Sequence, residues 1–455
     1  MNNRGQIDLR IIGLVSLILL FSIFVARGIS ISSPKVAITI ALGIGVCIVT
    51  FLKPELGLYI LVFSMLLSPE FEVAQIPKRA VAIRIDDVLL VVIFFTWLAR
   101  LAINKELGVL RFTSLNRLIL GYTIITIIFT ARGIIAGEVI PIRSFFYLLK
   151  YIEYFFLYFM VSNMVRDKNQ IKGLIIAMFI TCVIVCITTY PQVLRGERTT
   201  TPFEGEPGEP ATLGGYLLLM MAVILGFFLY SSSFRTSLCL IVLLLFAAPP
   251  FIFSLSRASY MGFVPMLLTL TFLTKKKRGI LIVGLILLGT FYTAGIMPES
   301  VKERIGITFI GKEYRVGPVR MELEESAGVR IESWQSMLKK LVKSPLWGFG
   351  VTGIGFFLDG QYFLVLGELG LIGMGMFLWL NFTIFVNALK SFQFSKDEFT
   401  QSLSLGFLAG FIGLLTHALT ANTFIIVRIM EPFWFLTALI MVLSEKGIDY
   451  EKYRS

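Results

Sequence analysis

Runs of about 20 apolar residues recur along the whole chain, each long enough to cross the hydrocarbon core of a bilayer as a helix. A backbone inside lipid must satisfy its own polar groups, and a helix does so within one segment. The first run, Ile11–Ala26, follows Arg4 and Arg10. No small-x-small cleavage pattern comes after it, so an uncleaved span is expected. Further spans are expected at 37–52, 55–68, 88–103, 118–135, 144–164, 171–189, 212–230, 236–254, 258–274, 279–296, 364–386, 401–420 and 424–443. That makes about fourteen. Only 15% of the residues are charged, against about 25% in a soluble domain. The expected fold is therefore an all-α, polytopic membrane helical bundle, a single integral membrane domain over 1–455. No internal repeat or low-complexity linker is visible, and no pair of matched broken helices of the kind that marks inverted-repeat transporters.

The formal net charge of +12 does not argue for nucleic acid, because part of it is the bias of cytoplasmic loops toward Lys and Arg. Lys275-Lys276-Lys277-Arg278 is a short, strongly basic turn and is expected in the cytoplasm. Counting spans outward from it puts Arg100–Arg111, Arg166–Lys172, Arg235, Lys390–Lys396 and both termini on the same side. The one long polar run, Met297 to Tyr362, then faces outward.

That run carries Arg315, Arg320 and Arg330 among its cations. Ile331, Trp334, Met337 and Leu338 fall at helical spacing, so Val329–Val342 is expected as an amphipathic helix on the membrane face. Arg330 would stand near its start, where free backbone N–H groups favour an anion, and a guanidinium fork matches phosphate oxygens. Arg257, in FSLSRASYMGF, opens the span that ends in the basic turn, with Ser254, Ser256 and Ser259 around it. An ionisable group there marks function, with snorkelling to the interface as the plain alternative. Gly348, Gly350 and Gly353 spell GxGxxG without a strand–helix unit, so a tight re-entering turn is expected rather than a dinucleotide site.

Other polar residues sit in or beside spans. Lys150 and Glu153 are spaced to pair on one helix face, while Arg143 and Lys150 share a stripe that reads equally as a basic track. Arg428 and Glu431 have the spacing of a pair at the start of the last span. His417 is the lone histidine; such a residue in an apolar helix is ordinarily packed and hydrogen-bonded, with catalysis as the alternative. Glu204, Glu206 and Glu209 lie among prolines and glycines directly before a span, and Glu206 is a candidate general base. Glu368 is a further candidate because it stands inside the apolar run FLVLGELGLIGM. Cys47, Cys182, Cys186 and Cys239 fall in apolar runs and read as small hydrophobes. One histidine excludes a His-rich metal site, and no Walker A pattern supports an ATP-driven pump.

The order of SLSRASYMGF, a basic turn, AGVRIESW, SPLWGFGVTGIG and YFLVLGELGLIGM resembles the O-antigen ligase and O-antigen polymerase (Wzy-type) superfamily. FEGEPGEPATLGGY and THALTANTFIIVRIMEPFW are also similar to segments of that family, and the likeness covers roughly residues 200–443. The resemblance implies a metal-independent glycosyltransferase without cofactors. It would act on undecaprenyl-diphosphate-linked glycan at the outer face of the bacterial inner membrane. By the same resemblance Arg257 and Arg330 hold the diphosphate leaving group. A chain-length regulator is a further candidate partner. Ligases of the family carry a His-Asn pair before the LGELG span, where this chain has Asp359-Gly360-Gln361-Tyr362. That departure favours polymerisation of lipid-linked repeat units over ligation to a lipid core or protein. A transporter or flippase of lipid-linked glycans and a membrane scaffold are the rival classes.

Overall fold

The computed structural model describes residues 34–76, 79–103, 111–202, 208–284, 312–316, 319–323, 325–356 and 358–452. Helices α1 (Pro34–Leu52) and α2 (Pro54–Leu67) lead into a hairpin of β1 (Glu70–Ile76) and β2 (Arg79–Arg84). Then come α3 (Ile85–Ile103), α4 (Ser114–Ile135), α5 (Pro141–Met164), α6 (Lys168–Leu194), α7 (Pro210–Tyr230), α8 (Phe234–Phe253) and α9 (Arg257–Leu273). A second hairpin, β3 (Lys312–Val316) and β4 (Val319–Leu323), precedes α10 (Glu325–Leu341), α11 (Gln361–Phe394), α12 (Glu398–His417) and α13 (Val427–Lys452). Both hairpins are antiparallel. They stand on polar stretches where hydrophobic periodicity gives no helix, and neither was expected from the apolar pattern. The expected span at Ile11–Ala26, and residues 285–296 of the one expected at 279–296, lie outside the described residues.

Eight of the described helices are long and apolar enough to cross a membrane: α4 to α8, α11, α12 and the Val427–Ser444 part of α13. Gly43–Leu52, α2 and α9 are shorter apolar helices. Their starts are written in the sequence. Pro54, Pro141 and Pro210 take the first helical turn, where a missing N–H costs nothing. Asp167 and Asp397 cap α6 and α12, accepting from the Gln170 and Thr400 N–H groups at 2.8 and 2.9 Å.

Burial sorts the helices. The spanning part of α7 is 94% buried and that of α8 only 22%, so α7 is the axis and α8 a peripheral wall. Lipid supplies no hydrophobic drive between helices, and small residues that let backbones touch take its place. A Cβ added at Gly226 of α7 would stand 2.4 Å from the Ser402 carbonyl and 2.7 Å from Gly406 Cα on α12. One added at Gly262 of α9 would stand 2.5 Å from the Gly413 carbonyl. Free Cys182 and Cys186 are buried in α6 as expected, whereas Cys239 on α8 is exposed.

The charged turns expected on one side do meet. Lys168 pairs with Asp397 at 2.5 Å and Lys276 with Glu398 at 2.8 Å. Lys277 Nζ donates to the Phe228 and Ser231 carbonyls at 2.7 and 2.9 Å, capping the end of α7. Burial, then the neighbouring Lys276 charge, push the Lys277 ammonium below its ordinary value.

At the opposite end α11 is broken. Gly370 has φ 63° and ψ −164°, a conformation only glycine adopts comfortably. The backbone groups freed there are taken by residues 345–350. Phe349 and Gly350 N–H groups donate to the Gly367 and Glu368 carbonyls at 3.0 and 2.8 Å. Leu371 and Ile372 N–H groups donate to the Pro345 and Leu346 carbonyls at 2.9 and 3.2 Å. The expected glycine turn is therefore present, packed against α11 and fixed on α4 and α5. Val351 N–H donates to Thr130 Oγ1 at 3.2 Å, and Ser144 Oγ donates to the Val351 carbonyl at 3.0 Å.

Gly370→Ala is expected to lower stability by about 1–3 kcal/mol from the backbone conformation alone. A Cβ there also falls 2.4 Å from the Leu346 carbonyl carbon. A fall in the melting temperature of the detergent-solubilised protein checks this, and an unchanged value contradicts it.

Candidate functional site

The second turn of α7 is flanked on two sides. Gly214 faces the elbow between α8 and α9: a Cβ there would stand 2.2 Å from Ser259 Oγ and 3.2 Å from Ser254 Oγ. Arg257 opens α9 at this elbow, half-buried, behind the Ser256 cap that accepts from the Ser259 N–H at 3.3 Å. Leu255 is held at φ 48°, a cost a non-glycine residue bears only where its surroundings fix it. Arg198 supplies part of that fixing, donating from Nε and Nη2 to the Ser254 and Leu255 carbonyls at 3.3 and 3.4 Å. Gly215 faces the other way, and a Cβ there would stand 3.4 Å from His417 Nε2.

His417 closes α12 with 0% exposure. Its Nδ1 shares a 2.7 Å hydrogen bond with Thr423 Oγ1, and the buried ring also interacts with the Ala211 backbone at the start of α7. The 418–424 turn joins it to the start of α11. Gln361 N–H donates to the Ala418 carbonyl at 2.9 Å, and Gln361 Oε1 accepts from the Phe424 N–H at 2.9 Å. Asn422 Nδ2 donates to the Leu358 carbonyl at 2.8 Å.

Arg330 enters through the same strand of chain. It lies in the second turn of α10, and its Nε donates to Asp359 Oδ2 at 2.8 Å. Trp334 Nε1 donates to the Asp359 carbonyl at 2.5 Å, and its ring stacks on Phe363 at 4.6 Å between centroids. The expected amphipathic helix is thus real, with Met337 and Leu341 buried against Ile354 and Leu358.

The remaining predicted residues divide. Arg428 is 3% exposed and donates to the Leu66, Pro202 and Ser68 carbonyls at 2.8, 2.8 and 3.1 Å, tying α13 to α2 and the 198–202 segment. The expected pairing with Glu431 gives way to another: Arg84 Nη2 reaches Glu431 Oε1 at 3.4 Å. Lys150 does pair with Glu153, at 3.4 Å, and also with Asp87. Arg143 is half-buried in the first turn of α5, near enough to act electrostatically on Glu368. Glu368 is 5% exposed beside the α11 break, accepting from the Thr352 N–H at 2.7 Å and the Tyr151 hydroxyl at 3.4 Å. Arg315 and Arg320 stand opposite each other in the β3–β4 ladder. Glu206 lies outside the described residues.

Arg198 and the start of α9 that carries Arg257 lie on the Gly214 side of α7, and His417 Nε2 lies on the Gly215 side. Arg84, Asp86, Asp87, Asp359 and Gln361 were not among the sequence candidates. Three of these were findable: Arg84, Asp86 and Asp87 crowd the start of an apolar run in AIRIDDVLL, the pattern that marks costly charge at a membrane. Asp86, Asp87 and Glu431 hold carboxylate oxygens within 4.8 Å of one another, a spacing a metal ion could use. The Arg84 guanidinium already lies against all three, so the grouping is satisfied by a side-chain cation.

The apolar helices and the charged groups gathered at the bundle's ends define a multi-pass membrane protein. No protein-family model and no curated protein sequence matches the chain.

Replacing Arg84 by Met would strand buried carboxylates, and is expected to cost about 3–5 kcal/mol. Arg330→Met breaks a pair whose side chains are 28% and 21% exposed and is expected to cost about 1 kcal/mol or less. Chemical or thermal unfolding of the two variants checks the order, and equal losses contradict it.

Proposed function

We propose that this protein is a metal-independent glycosyltransferase that joins polyprenyl-diphosphate-linked repeat units at the outer face of the bacterial cytoplasmic membrane. In this reading about fourteen spans carry the chain, the KKKR turn faces the cytoplasm, and the 297–362 segment faces outward over the site. The supporting observation is that the start of α9, which carries Arg257, and His417 lie on opposite sides of Gly214 and Gly215 in α7. Arg330 joins them through Asp359 and the Gln361–Ala418 contact.

The reaction breaks the bond between the anomeric carbon and the diphosphate oxygen, and forms one from that carbon to an acceptor hydroxyl. Negative charge grows on the departing diphosphate, and fixed guanidiniums there are worth about 3 kcal/mol each in the transition state. Arg257 and Arg330 take this role. The acceptor hydroxyl loses its proton to a nearby base, for which His417 Nε2 is the best-situated candidate and Glu368 the second. Arg428, fully engaged on three carbonyls, is a fixed post rather than a free phosphate ligand. The isoprenoid tail lies along lipid-facing apolar helix faces.

Arg257→Ala and Arg330→Ala are each expected to lower activity by about a hundredfold, with protein level in the membrane preserved. Lysine should rescue poorly because it lacks the planar fork. Near-normal glycan chain length in both alanine variants contradicts the assignment. Deleting the gene separates polymerisation from ligation: single repeat units on the final acceptor are expected, and long chains stranded on polyprenyl diphosphate would restore ligation.

A further inference from the structure

A closed group of ionisable side chains ties α13 to α3 and α5. Asp86 and Glu431 are 0% exposed, Arg84 4% and Glu153 8%. Arg84 Nη2 lies 2.7 Å from Asp86 Oδ2, and 3.4 Å from both Asp87 Oδ1 and Glu431 Oε1. Lys150 pairs with Asp87 and Glu153. Arg428, one turn from Glu431, donates to the carbonyl of Ser68, whose hydroxyl accepts from the Asp86 N–H at 3.0 Å. The charged groups facing Glu431 are thus Arg84, Asp86 and Asp87 from the start of α3, Lys150 and Glu153 from α5, and Arg428 from its own helix. Helices α2, α7, α11 and α12 also pack on α13, but bring no ion pair to Glu431 among the described residues.

The charges do not balance. Four carboxylates (Asp86, Asp87, Glu153, Glu431) face three cations (Arg84, Lys150, Arg428), which leaves one negative charge in excess. A second observation points the same way. Asp86 Oδ1, Glu431 Oε2 and Glu153 Oε1 are buried and have no hydrogen-bond partner. An ionised carboxylate only accepts, and a buried acceptor without a donor is costly. A proton on one oxygen supplies the donor and removes the excess charge in one step. Asp86 and Glu431 bring carboxylate oxygens within 4.8 Å of each other, and like charges so near favour sharing one proton. A metal ion is the poorer occupant, since the Arg84 guanidinium already lies against Asp86, Asp87 and Glu431.

We propose that Asp86 and Glu431 form a proton-binding site, one carboxyl of the pair carrying a proton at neutral pH. The unfolded chain sheds that proton in neutral water. The folded state then binds more protons than the unfolded one, so stability falls as pH rises from the ordinary carboxylate range, about 4, until the pair itself releases the proton. The protonation state of this pair is independent of whether the protein is a polymerase.

Infrared difference spectra of the full-length protein against Glu431→Gln, in water and heavy water at neutral pH, test it. The amide keeps the shape and neutrality of the protonated acid. Its remaining partner, Asp86, ionises against Arg84. The expected result is loss of a protonated-carboxyl carbonyl band that shifts in heavy water, with Asp86→Asn giving the same loss. Both variants should also flatten that decline of melting temperature with rising pH. Loss of ionised-carboxylate bands instead would overturn the proposal. So would a failure of both amide variants to fold, or a divalent cation that survives dialysis in the parent protein and is lost in Glu431→Gln.

Discussion

A backbone N–H or C=O with no partner is expensive in a medium without water, and that cost organises the end of the bundle where the candidate site lies. Helix α11 breaks at Gly370, which frees carbonyls at Gly367 and Glu368 and amides at Leu371 and Ile372. The 345–350 segment exists in its observed path because it fills those four groups. Once it does, Thr352 is brought to Glu368, Val351 to Thr130 and Ser144, and Lys340 to the Gly353 and Ile354 carbonyls at 3.0 and 2.8 Å. Helix α10 follows from that anchorage, and with it the position of Arg330. A single glycine conformation is therefore coupled, through hydrogen bonds, to the placing of a candidate phosphate-binding arginine 40 residues away in sequence.

The same accounting applies to charge. Arg428 is buried but spends its guanidinium on the carbonyls of Leu66, Ser68 and Pro202. Arg84 is buried among acids instead. One cation fastens backbone and the other neutralises carboxylates, and together they hold α13 beside the site. Arg257 and Arg330, by contrast, are only half-buried.

Much of the helical plan was legible. The apolar run at 212–230 became Pro210–Tyr230, with its proline marking the start, and the Val329–Val342 pattern became Glu325–Leu341. Basic turns expected together are in contact through Lys168–Asp397 and Lys276–Glu398. What was hidden depends on distance along the chain. LGELGLIGM reads as unbroken helix, because nothing local says that residues 345–350 will take its backbone bonds. Glu431 reads as the partner of Arg428 by helical spacing, whereas Arg84, 347 residues away, reaches it in space. His417 is legible as a packed histidine through Thr423, but its turn toward Gly215 is a product of packing alone. The hairpin at 312–323 could have been read, because Tyr314, Val316, Val319, Met321 and Leu323 alternate with polar residues about Gly317-Pro318.

The central claim is that this bundle forms glycosidic bonds from a lipid diphosphate donor with its own side chains alone. Purified protein in liposomes with polyprenyl-diphosphate-linked oligosaccharide, without nucleotide and with a chelator present, tests it most directly. Gel-resolved growth of the lipid-linked glycan, with release of polyprenyl diphosphate, is the predicted result. Movement of intact lipid-linked oligosaccharide across the bilayer without any growth would contradict the account.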